Sequence, residues 1–123
     1  MSTSSATPGP VGPDPTIPLT PDARKAYEDL FNTNEAAIEA TADRDLLQSL
    51  ADTQLSIGAV LTADNEARLK QDDASFAALR TQINAANSSL KKLQKDIAGV
   101  ATKIDAIGAV ASGIVKVLGF VGA

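Results

Sequence analysis

The stretch that decides the fold runs from Phe76 to Val121 and reads FAALRTQINAANSSLKKLQKDIAGVATKIDAIGAVASGIVKVLGFV. Starting a heptad with position a at Phe76 puts Phe76, Ile83, Leu90, Ile97, Ile104, Ala111 and Leu118 at a. Leu79, Ala86, Leu93, Val100, Ile107, Ile114 and Val121 then fall at d, so every a and d position is apolar. The positions between them, from 80 to 103, are largely polar. A strict seven-residue repeat of this kind imposes left-handed packing of helix against helix. As one helix at 1.5 Å per residue the segment would span roughly 69 Å, longer than a globule of this chain is wide. The expectation is therefore that partner helices from other copies cover the seam. Ile and Leu are mixed at both a and d, and no buried Asn enforces a dimer, so three or more strands are favoured. The seam residues carried forward are Phe76, Leu79, Ile83, Leu90, Leu93, Ile97, Val100, Ile104, Ile107, Ile114, Leu118 and Val121.

At its C-terminal end the pattern broadens. Residues 106–123, AIGAVASGIVKVLGFVGA, hold Lys116 as their one charge. Val110, Val115, Val117 and Phe120 widen the apolar face beyond the seam, which suits either a bundle with more neighbours or contact with lipid. Eighteen residues are the short end of what crosses about 30 Å of hydrocarbon, and a central Lys opposes insertion. A lytic peptide is compatible with the composition, though no motif calls for it.

Upstream, Thr20-Pro21-Asp22 is a helix start: a hydroxyl at the N-cap, proline at N1 and an acid in the first turn. After Pro21 the chain has no proline, and between residues 22 and 98 its one glycine is Gly58. No β-branched run suggests a strand, so the remainder is expected to be helical. Leu46, Leu50, Thr53, Ile57 and Val60 form an amphipathic stripe, predicting a helix over 21–61. A second, heptad helix is predicted over 66–121. Thr62-Ala63-Asp64-Asn65 offers cap residues for a turn between them; without that turn the two form one rod. Charge favours the turn. Residues 1–73 carry 13 acids against 5 bases, and residues 74–123 carry 2 acids against 6 bases. A hairpin would bring Lys91, Lys92 and Lys95 toward Glu35 and Glu39.

Residues 1–20 form an arm that holds five of the chain's six prolines, the sixth being Pro21 just after it. Its composition buries too little to order alone, so it is disordered or bound to a partner. Pro8, Pro10, Pro13, Pro15, Ile17 and Pro18 are the candidate docking residues.

Composition removes most chemistry. The 123 residues include no Cys, His or Trp, which excludes thiolate nucleophiles, Ser-His-Asp triads and Cys/His metal sites. Four aromatics and a net charge of −4 argue against nucleic-acid binding. Asp43/Asp45 and Asp72/Asp73 are neighbouring carboxylates without a cleft, and Asp64-Asn65-Glu66 lacks the spacing and glycine of a calcium loop. No catalytic residue, metal or cofactor is expected. No signal peptide is read, so synthesis in the cytoplasm is expected.

The sequence thus describes an all-α chain: an extended Pro-rich arm, then long helices as a hairpin or rod with a heptad coiled-coil C-terminal half. The function expected is a non-enzymatic, homo-oligomeric structural protein, trimer or higher. Its arm would attach it to a larger assembly such as a fibre, stalk, virion or secretion apparatus. The alternative is a membrane-associated or pore-forming protein whose coiled coil oligomerises the apolar end and brings residues 106–123 to lipid.

Overall fold

A computed structural model describes residues 18–100 and 105–121. The described chain is all-helical, with α1 at Pro21–Ala40, α2 at Arg44–Lys70, α3 at Asp73–Ala98 and α4 at Asp105–Val121. α1 begins where the sequence places it: Thr20 is the N-cap, accepting from the Ala23 N–H, with proline in the first turn.

The expected break at Thr62–Asn65 is not where the chain turns. α2 continues through those residues to Lys70, and the turn falls at Gln71-Asp72. Gln71 takes the left-handed conformation (φ 52°) that a glycine more often occupies. Asp72 then caps α3 in a reciprocal box, accepting the Ser75 N–H while Ser75 Oγ meets the Asp72 N–H. The expected 21–61 helix is likewise two helices, separated at Thr41–Asp43. There Asp43 caps α2 by accepting from the Leu46 N–H. Nor is the 66–121 helix continuous. α3 stops at Ala98, Gly99 closes its last turn, and helix resumes at Asp105.

Short connections make consecutive helices neighbours, and α1 also packs on α4. Among the described residues the diagonal pairs α1/α3 and α2/α4 do not meet, so the four helices form a ring around one core. Asn34 opposite Leu50, with Arg24 opposite Asp64, makes α1 and α2 antiparallel. Ser49 opposite Asp96, with Ser56 opposite Ser89, does the same for α2 and α3.

Each helix contributes a stripe at alternating three- and four-residue steps, the spacing of left-handed bundle packing. In α2 it is Leu46, Leu50, Thr53, Ile57, Val60, Asp64 and Ala67, all buried. In α3 it is Leu79, Ile83, Ala86, Leu90, Leu93 and Ile97. The heptad of α3 is therefore covered by α2 of the same chain. A helix of 26 residues is about 39 Å long, and the 27-residue α2 matches it. The argument from a 69 Å rod that called for other copies loses its premise, because the rod is cut at Gly99.

In α4 the buried stripe is Ile107, Val110, Ile114 and Val117, rotated from the expected a/d seam. Ala111 and Leu118 are half-buried. The rotation follows from the break, which frees α4 to choose its own face. Gly113 lets α1 approach closely: a Cβ there would lie 2.9 Å from Leu30 Cδ1.

Candidate functional site

Two side-chain clusters stand out, and the first is at the base of the arm. Leu19 is buried against the core, and Pro18 before it is half-buried. What holds Leu19 is Asp64, an acid in the apolar stripe of α2 and wholly buried. Asp64 Oδ1 accepts the Leu19 N–H at 2.8 Å. Its Oδ2 accepts from Arg24 Nη1 at 2.6 Å and from Arg68 Nε at 2.8 Å. Arg68 Nη2 also donates to the Leu19 carbonyl. Both backbone polar groups of Leu19 are thereby satisfied, and the buried carboxylate has one backbone and two cationic donors.

The sequence reading weighed Asp64 as a cap or a calcium ligand and missed this role. A usable signal existed: extending the Leu46–Val60 stripe by its own three-four spacing lands on Asp64. Arg68 follows one turn later on the same flank.

The second cluster is electrostatic. Arg24, Lys25, Arg68, Lys70 and Lys92 each pair with a carboxylate. Lys92 bonds Asp96 and Ser49, and the Ser49 hydroxyl and Lys92 together hold the Asp96 carboxyl below its usual range. Arg80, Lys91, Lys95 and Lys116 are exposed and make no ion pair among the described residues. The expected approach of Lys91, Lys92 and Lys95 to Glu35 and Glu39 does not occur, because α1 and α3 lie diagonally across the ring.

The other candidates are placed as follows. Val110 and Val117 are core residues between helices, whereas Val115 (61%) and Phe120 (37%) are exposed. Phe76 and Val100 are half-buried at the edge of the core. Ile104, the side chain of Val121, and Pro8, Pro10, Pro13, Pro15 and Ile17 lie outside the described residues. A groove of ≈ 510 Å³ runs along the outer side of α2 and α3, floored by Ala59, Ala63, Ala74 and Ala78. Asp43 and Asp72 serve as helix caps. Asp72 is held below its usual range by the Ser75 backbone N–H and hydroxyl. Among the described residues three buried oxygens find no hydrogen-bond partner: Tyr27 Oη, Asn34 Oδ1 and Asn87 Oδ1. Burial alone drives the Tyr27 phenol far above its ordinary value.

Among the described residues no group of three or more His, Cys, Asp or Glu could hold a metal ion. None of the described helices is long and apolar enough to cross a membrane. Compared with family models, characterised proteins and solved structures, the chain shows no match.

Proposed function

We propose that this chain is a non-enzymatic assembly module, a small helical bundle that presents its Pro-rich N-terminal segment to a larger protein complex. The observation that carries the reading is the Asp64 cluster. A buried carboxylate in the middle of an apolar stripe is costly unless its partners fix something that packing alone would leave loose. Here one donor is the N–H of Leu19, the last residue before the helix cap, and a second, Arg68, also holds the Leu19 carbonyl. A tail without a task at this point needs no buried ion cluster at its root. Pulling on the segment from outside would load α1 and α2 together through Arg24 and Arg68.

The heptad still carries an expectation of self-association. With α2 covering the α3 seam, that expectation now needs a second surface or an exchange of α2 between copies. Under this proposal the working unit is the single-chain bundle.

The test compares the full chain with a version starting at residue 18, both expressed in the cells of origin and sized on a density gradient. The full chain should travel with a complex far heavier than itself, and the shortened chain should travel as the free, still helical bundle. Identical profiles for the two would refute the reading.

A further inference from the structure

We propose that the outer side of α3 and α4 is a docking face for an anionic lipid surface, with α4 lying flat in the interface. The seven-residue spacing of α3 places Ser89 and Asp96, which touch α2, on one flank. It places Arg80, Asn87 and Gln94 on the opposite flank, which faces α4, with Lys91 next outward and Lys95 on the crest. On α4, Gly113 meets α1, so Gly108, Val115 and Gly119 fall on the outer crest and on the side toward α3. The outcome is one continuous face: Arg80, Lys91 and Lys95 beside the flank of α4 that carries Gly108 and Val115, with Ser112 and Gly119 on the crest, Asp105 at its N-terminal end and Lys116 on the far shoulder.

Three observations select lipid as the occupant. First, the cations of α1 and α2 are neutralised within the chain apart from Arg44, whereas these four are not. An unpaired basic patch on a chain of net charge −4 is a local asymmetry that orients the molecule toward an anionic surface. Second, the flank of α4 toward α3 is smooth. An added Cβ on Gly108 or Gly119 would meet nothing within 4 Å and Val115 stands exposed, while the groove on the other side of this helix is lined by Ala109, Ser112, Gly113 and Lys116 against α1. Protein hot spots fill pockets, whereas a fluid bilayer accepts a smooth apolar flank. Third, a second copy would bring the same cations toward its own, which opposes self-docking.

The 17 residues of α4 cover about 26 Å of interface, and the long stem of Lys116 lets its ammonium reach the headgroups. This is interfacial binding and not a span. It does not depend on the arm, and it assigns the assembly to a membrane surface.

The experiment is cosedimentation of the full chain with vesicles of phosphatidylcholine alone, and of phosphatidylcholine with about a third phosphatidylglycerol. The chain should bind the anionic vesicles at low salt, release at about 0.5 M salt, and ignore the neutral ones. Each surface cation accounts for about fivefold in affinity, so Lys91→Glu with Lys95→Glu should weaken binding by well over tenfold. Val115→Asp should weaken it at unchanged net basic patch. Circular dichroism of each variant shows that the fold is kept, since all three positions are exposed. Failure to bind anionic vesicles overturns the proposal, as does equal binding by the charge-reversed chain. If vesicles are ignored while Val115→Asp abolishes a concentration-dependent dimer, a second copy covers the face and the proposal fails.

Discussion

Replacing Asp64 by alanine removes the acceptor on which the base of the arm depends. The Leu19 N–H, in a residue only 2% exposed, is left without a partner, at a cost of about 1–3 kcal/mol. Two guanidinium groups lose their carboxylate. Stripping one partner from a buried pair costs about 3–5 kcal/mol. The side chains of Arg24 and Arg68 are 25% and 42% exposed, however, and both can turn toward water. That exposure removes most of the pair penalty, so the Leu19 N–H dominates and the total comes to about 3 kcal/mol, the top of its own range. Asp64→Asn keeps an oxygen for Leu19 and removes only the charge, so it should cost about 1–2 kcal/mol. In a helical unit of this size these losses lower Tm by about 10–20 °C for alanine and about half that for asparagine. Thermal unfolding followed by far-UV circular dichroism reads both, and amide exchange at Leu19 should lose its protection in each. An alanine variant that melts within about 2 °C of the parent would refute the reasoning, because Leu19 would then not be held by this carboxylate.

Further outcomes follow from titrating groups and glycines. Tyr27, the one tyrosine, is buried neutral with its pKa raised, so the unfolded chain releases this proton first as pH rises past 10.0. Stability present below that value should fall above it, with tyrosinate absorbance appearing together with the loss of helix and not before it. Asp72 and Asp96 titrate below the ordinary 3.8 in the folded chain, so the stability they add is present above 3.8 and lost as pH falls through their folded values. Urea midpoints measured between about pH 5 and pH 2 should drop less steeply in Asp96→Asn than in the parent. Gly108→Ala meets open space and should stabilise α4 by up to about 1 kcal/mol. Gly113→Ala sets its Cβ against buried Leu30 and should bring no such gain; equal Tm increases for the two would contradict the close approach of α1 and α4.

Much of the local structure was legible because its causes are local. The Thr20-Pro21-Asp22 start needs no more than cap chemistry, and the apolar stripes of α2 and α3 are stated by their spacing. The breaks were not legible for a physical reason. None carries a Gly-Pro signal strong enough to interrupt a heptad. One turns on Gln71 in a left-handed conformation and is made stable by the Asp72–Ser75 box behind it. Another turns on Thr41 and Asp43, the Thr41 hydroxyl accepting the Asp43 N–H. The heptad itself misled across Gly99, because Val100 and Ile104 keep the seven-residue register through residues that end one helix and precede the next. What covers a seam is also not a local property. Leu90 and Leu93 announce that they are buried, but whether by α2 of the same chain or by another copy depends on where the chain turns. The Asp64 cluster was hidden in the same way. A lone acid looks like a cap or a solvated residue until Leu19, 45 positions away, is seen to be its partner.

The central claim is that α2 closes the α3 seam within one chain, and the absence of cysteine makes it directly measurable. Ser56 and Ser89 face each other across the two helices with their hydroxyl oxygens 3.0 Å apart. Ser56→Cys with Ser89→Cys places two sulfurs within bridging reach. Oxidised at low protein concentration and run on a denaturing gel without reductant, the double variant should form a crosslink inside the monomer, which migrates faster than its reduced form at 12.6 kDa. A ladder of dimers and higher species, with no fast monomer, would mean that the seam is filled by other copies and would contradict the account.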